Sequence, residues 1–150
     1  MAGEYCSLPA RTGDLEEEAI DRMLAAKRIA VVGLSDDPSR PSYGVSNYMR
    51  SAGKEILPVN PKYEAVMGLK CYRTLEEVPG PVEVVNVFRR PKACDDVVRS
   101  AIAIGAKGVW LQSGIRNDEA KRLAEEAGLD FVQDRCIMVE HRFRRRERSS

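Results

Sequence analysis

The sequence predicts an α/β domain, doubly wound, with a mostly parallel sheet of five to six strands and helices on both faces. Three observations predict it. Largely apolar runs such as Arg28-Ile-Ala-Val-Val-Gly33 and Val82-Glu-Val-Val-Asn-Val-Phe88 have the length and β-branched content of buried strands. Between such runs lie segments whose apolar residues recur at helical spacing. Those segments stop at glycines, Gly53, Gly105 and Gly128. Strands that alternate with helices pair in parallel, because each helix carries the chain back across the sheet.

The elements follow in order. Residues 1–13 read as a flexible N-terminal arm. Asp14 is a suitable N-cap, and Glu16, Glu17 and Glu18 suit the positive end of a helix from about Leu15 to Ala26. The first strand ends at Gly33. The next helix starts at Ser42-Tyr43 and turns Val45, Tyr48, Met49 and Ala52 to one side. The strand Glu55-Ile-Leu-Pro-Val59 contains a proline, which suits a sheet position where one N–H is not needed. A turn at Asn60-Pro-Lys62, a minor strand or loop over Leu69–Tyr72 and a short helical turn over Thr74–Val78 come next. The strand Val82–Phe88, a helix from Cys94, the strand Gly108–Gln112, a helix capped by Asn117 and the strand Leu129–Gln133 complete the domain. We place it at residues 14–141, followed by a basic C-terminal tail at 142–150 that is expected to be mobile.

Bulk properties narrow the function classes. The chain has 150 residues, 43% hydrophobic and 31% charged, with a formal charge of +1. That length suits one domain with its own core. Near-neutral charge gives no global field to recruit nucleic acid or a membrane. No apolar run approaches the roughly 20 residues of a spanning helix, and the first residues have no basic and apolar leader pattern. A cytoplasmic location is expected. Cys6, Cys71, Cys94 and Cys136 have no C-x-x-C spacing, and His141 is the single histidine. No metal site is expected, and the cysteines should be free thiols.

Sheets of this kind bind ligands beyond the carboxyl ends of their strands. Four loops should converge there: Leu34–Tyr43, Asn60–Lys62, Arg89–Pro91 and Ser113–Asn117. The first follows a glycine as a dinucleotide fingerprint does, but Gly33-Leu-Ser-Asp-Asp-Pro offers no second or third glycine. Ser35, Ser42 and Arg40 can hold an anion at a helix start. Asp36 and Asp37 repel phosphate, so a phosphate belongs nearer Arg40 and Ser42. Lys62 stands where an NAD site places an acid for the ribose, which disfavours NAD and leaves NADP open. Phe88 can cover an adenine or fill core. Arg89 and Arg90 bring charge to the mouth, Gln112 offers neutral hydrogen bonds, and Gly114 permits close approach. Trp110 belongs to the core. Each loop also has a plain reading as a connector or solvated turn.

Taken in order, these loops resemble the small CoA-binding proteins of the YccU-like family, close to the CoA-binding domain of succinyl-CoA synthetase alpha subunits. The resemblance rests on Val32-Gly-Leu-Ser35, Arg40-Pro-Ser-Tyr43, Pro58-Val-Asn-Pro-Lys62, Val85-Asn-Val-Phe-Arg-Arg90, Gly108-Val-Trp-Leu-Gln112 and Asp134-Arg-Cys136, and it covers about Ile20 to Phe143. It implies a Rossmann-like fold that holds CoA or acyl-CoA by its ADP end across the strand edges. The implied binding residues are Gly33, Leu34, Ser35, Arg40, Pro41, Ser42 and Tyr43 from the first loop. Asn60, Pro61 and Lys62 come from the second, Val87, Phe88 and Arg89 from the third, and Gln112 and Gly114 from the fourth.

The synthetases phosphorylate a histidine in a further domain, whereas His141 lies in the charged segment, so ligase activity is not expected to carry over. The expected function is a stand-alone CoA-binding module without catalytic residues. The alternatives are an NADP-dependent oxidoreductase and a partner subunit of an acyl-CoA synthetase-type enzyme. Self-association or an unknown protein partner stays open, and Arg142, Arg144, Arg145, Arg146 and Arg148 are expected to solubilise rather than to bind nucleic acid. Cys136, beside Arg135, is either inert or able to exchange disulfides with bound CoA.

Overall fold

A computed structural model describes residues 15–149, with the side chains of residues 15–145. The N-terminal arm, Cys6 and the Asp14 cap lie outside the described residues. Helix α1 covers residues 15–25. It leads into strand β1 (Arg28–Val32), helix α2 (Pro41–Ser51) and strand β2 (Glu55–Val59). A small hairpin follows, β3 (Ala65–Val66) and β4 (Leu69–Lys70), then a 3-10 turn at Leu75–Glu77 and strand β5 (Val84–Val87). After a second 3-10 turn at Pro91–Ala93 come α3 (Cys94–Ala103), β6 (Gly108–Leu111), α4 (Asp118–Glu126), β7 (Asp130–Val132) and α5 (Ile137–Ser149).

The main sheet has five strands in the order β2-β1-β5-β6-β7, and every pairing in it is parallel. The hairpin forms a separate two-stranded sheet. Side chains alternate across β1, so its two faces feed two cores. Ile29 and Val31 pack with residues of α1, α2 and α5. Ala30 and Val32 pack with residues of α3 and α4. The protein is therefore doubly wound, with helices on both faces. Trp110 is fully buried and its Nε1 donates to the Arg135 carbonyl at 2.8 Å.

The proline of β2 fits its place. β2 is an edge strand, and its outer side meets Tyr72. There Tyr72 N–H donates to Pro58 O at 2.9 Å and Asn60 N–H donates to Tyr72 O at 2.8 Å. Residues 56, 58 and 60 turn their amide positions the same way, so Pro58 lacks a donor only on this outer side.

The charged end of the sequence is helical. It forms helix α5, which starts at Ile137 and includes the arginines from Arg142 on. Ile137 anchors its start in the core. Arg144 bonds Asp21 at 2.9 Å and Glu140 at 3.1 Å, and also pairs with Glu17. Arg135 pairs with Glu16 at 2.8 Å and Glu140 at 3.3 Å. His141 Nδ1 lies 2.8 Å from the Tyr48 hydroxyl on α2. Glu17 and Asp21 of α1 thus share Arg144 of α5 as a partner, and Glu16 pairs with Arg135 just before α5.

Glu83 closes the other end of the sheet. Its carboxylate accepts the Lys27 and Arg28 N–H groups, each at 2.8 Å. These bonds hold its pKa below the ordinary 4.5. A depressed carboxylate adds stability above its unfolded pKa and loses it as the pH falls through the folded value. Glu83→Ala should therefore cost about 1 kcal/mol at neutral pH. The gap to wild type in denaturant melts should narrow as the pH drops below 4.5. A gap that does not change with pH would contradict the assignment.

Candidate functional site

The site begins at Gly33, which leaves β1 at φ 88°. Its N–H donates to Val59 O at 2.9 Å, while Phe88 N–H donates to Val32 O at 2.9 Å. A Cβ here would stand 2.4 Å from the Phe88 carbonyl oxygen. The glycine thus lets the loops after β1 and β5 touch backbone to backbone. This is the close approach that a fingerprint glycine usually serves, made toward protein instead of ligand.

The loop from Leu34 to Arg40 is held by its own polar groups. Leu34 is buried, and its carbonyl accepts the Asn60 side-chain amide at 3.1 Å. Ser35 N–H donates to Ser42 Oγ at 3.0 Å. Asp37 accepts both the N–H and the hydroxyl of Ser39, bonds that lower its pKa. Asp36 accepts the Met67 N–H at 3.0 Å. Both acids are thus occupied by the protein, and neither lines the cleft beside them.

That cleft, about 510 Å³, opens at the carboxyl ends of β1, β2 and β5. Gly33, Ser35, Arg40, Pro41 and Ser42 line it from the first loop and the start of α2, which presents its positive dipole end. Asn60, Lys62 and Tyr63 line it from the second loop, and Phe88, Arg89 and Arg90 from the third. Arg40, Lys62, Arg89 and Arg90 give it four cations and no carboxylate. None of the four makes a salt bridge among the described residues. Like charges left unpaired at one mouth repel one another, and a bound polyanion relieves that repulsion.

A second pocket of about 250 Å³ adjoins the first. Its wall is apolar, from Val32, Val59, Pro61, Leu75, Ala93 and Val97, and its rim carries Arg73, Thr74, Glu76, Asp96 and Ser100. Arg89 lines both pockets.

The structure therefore gathers most of the first three loops. Pro61 belongs to the second pocket. Leu34 and Val87 are buried beneath the site, and Tyr43 is half-buried on α2 outside the cleft lining. Gln112 is buried, with its Nε2 2.5 Å from Asn86 Oδ1. Gly114 is exposed and donates its N–H to Asp134 Oδ1 at 2.7 Å. Neither Gln112 nor Gly114 lines a pocket described above. Tyr63 was missed, although it directly follows the Asn60-Pro-Lys62 turn. The second pocket was missed too, because the 3-10 turn and α3 that wall it lie far from the glycine loop in sequence.

Cys71, Cys94 and Cys136 are free thiols. Burial, with Asp95 next in importance, pushes Cys94 up to about 11, and burial raises Cys71 as well. Both are protonated at neutral pH and are poor nucleophiles. The described residues contain no group of acids, cysteines and histidine that could hold a metal ion, and none of their helices is long and apolar enough to cross a membrane.

A family described as "CoA binding domain" matches residues 27–142. The chain belongs to that family. It is 44% identical to the Bacillus subtilis protein YneT, over 77% of this chain and 86% of that one. It is 28% identical to the alpha subunit of an ADP-forming acetate–CoA ligase II of Pyrococcus furiosus, over 80% of this chain but 29% of the ligase subunit. A protein of Pyrococcus horikoshii has the same fold, with a TM-score of 0.81 and 42% identity over 85% of this chain and 90% of that one. The expected kinship with CoA-binding domains of acyl-CoA synthetases holds, and so does the Rossmann-like fold.

Proposed function

We propose that this CoA-binding domain holds CoA or an acyl-CoA by its ADP end and carries out no chemistry on it. The observation that carries the reading is the pair of pockets that share Arg89 in their linings. An apolar pocket of about 250 Å³ suits a flat purine, and the cleft beside it has four cations for phosphates. In this reading the adenine lies between Pro61, Leu75 and Val97. The pyrophosphate lies against Ser35, Arg40 and the start of α2. Lys62, at the end of β2 where the ribose of a nucleotide sits, takes the 3′-phosphate, and Arg89 spans the two pockets. The likeness to acetate–CoA ligase subunits supports the further proposal that the module supplies bound CoA to a partner protein that performs the chemistry.

Thermal unfolding tests this reading. CoA at a hundred times its dissociation constant should add about 2.7 kcal/mol, raising Tm by roughly 5–10 °C. The nucleotide half of CoA, 3′-phospho-ADP, should give most of that shift. NAD should give little, because Lys62 replaces the acid that its ribose needs. A larger shift with NAD than with CoA would overturn the proposal.

A further inference from the structure

We infer that Asp36 is a positioning residue for the anion cleft, acting through the β3–β4 turn; the inference rests on the CoA reading above. A carboxylate in the loop that borders a cleft with four cations invites the view that it tunes charge. The geometry points elsewhere. Asp36 Oδ1 accepts the N–H of Met67 at 3.0 Å, and Arg50 Nη1 donates to the carbonyl of the same residue at 3.1 Å. Met67 sits at φ 57°, in the left-handed region. That conformation costs a non-glycine residue energy and persists only where neighbours enforce it.

Asp36 lies in the loop that enters α2, and Arg50 lies in the last turn of α2. One turn residue therefore ties both ends of the helix whose start lines the cleft. The turn is itself anchored, because Val66 is fully buried and Tyr72 bridges to Val59 of the main sheet. The pin fixes Ser35 and Arg40 before any ligand arrives, which lowers the ordering cost of binding.

Charge and positioning predict opposite signs. Without a positioning role, removing a carboxylate near the cleft strengthens binding of a polyanion. With one, Asp36→Ala frees the loop and weakens CoA binding, on the order of fivefold to tenfold. Asp36→Asn discards the charge yet keeps an acceptor oxygen, so it should bind CoA at least as tightly as wild type.

The test pairs calorimetric titration of CoA with amide hydrogen exchange of Ser35, Asp37 and Arg40 in the free protein. Asp36→Ala should speed exchange at these amides while leaving Tm nearly unchanged, and Asp36→Asn should not. Exchange unaltered in Asp36→Ala, CoA affinity equal or higher in Asp36→Ala, or equal weakening in both variants would each overturn the positioning role. Faster exchange in Asp36→Ala, together with no CoA binding even by wild type, would leave the pin intact and strike down the CoA reading instead.

Discussion

Gly33→Ala is expected to destabilise the protein by about 3 kcal/mol, through left-handed strain added to overpacking. The residue sits at φ 88°. The added methyl carbon would lie 2.4 Å from the Phe88 carbonyl oxygen, well inside van der Waals contact. Relief cannot come from a flexible side chain, because the obstacle is backbone. That backbone is also fixed: Phe88 N–H bonds Val32 O, and Gly33 N–H bonds Val59 O. The substitution must push β1 and β5 apart where the cleft begins. Denaturant melts should show the loss, with Tm lower by roughly 6–12 °C. CoA binding should weaken in parallel, because Ser35 and Phe88 move. A loss below about 1 kcal/mol would show that the two loops are not in the contact described. Gly44→Ala is the control, since a Cβ there meets nothing within 4 Å.

The second large effect is on affinity. Arg89→Ala should weaken CoA binding by roughly 1.5–3 kcal/mol, about 10- to 150-fold, the usual worth of charge-assisted hydrogen bonds to phosphate. Arg89 is exposed, lines both pockets and has no salt bridge among the described residues, so its removal leaves no buried partner stranded. Tm of the free protein should hold or rise slightly, because one cation leaves a mouth where four repel one another. Lys62→Ala should lose a similar amount, and lose it through the 3′-phosphate. The deficit should therefore shrink when dephospho-CoA replaces CoA.

How much of this was legible in the sequence depends on the range of the interactions. β1, β2, β5 and β6 declared themselves, because buried parallel strands are written as largely apolar runs. Asn117 announced its helix, and its side chain does accept the Ala120 N–H at 2.9 Å. Helix α5 was not legible. It is held to the body by buried Ile137 and by bonds from Arg144 to Glu17 and Asp21, more than a hundred residues away, and a local pattern of arginines contains nothing of them.

The cleft was legible where single loops dictate it. Gly33, Ser35, Arg40, Lys62 and Arg89 follow strand ends, and strand ends meet at one edge. The acids beside them were only half legible. Repulsion from phosphate could be foreseen, whereas the Met67 amide that occupies Asp36 could not, because β3 and β4 are two residues each and carry almost no pattern. Gln112 and Gly114 follow β6, farther along the same edge, and their polar groups are taken up by Asn86 and Asp134. The second pocket was invisible for a related reason. Its apolar wall looks like ordinary core until the fold leaves a gap between the 3-10 turn and α3.

We propose that CoA is held by its nucleotide end at the two pockets that share Arg89. Calorimetric titration of the nucleotide half of CoA, 3′-phospho-ADP, into wild type and Arg89→Ala tests it most directly. This fragment should bind wild type, compete with CoA for a single site, and lose at least tenfold in affinity in Arg89→Ala, while pantetheine alone should give no measurable heat. Pantetheine binding with no binding of 3′-phospho-ADP, or nucleotide affinity unchanged in Arg89→Ala, would contradict it.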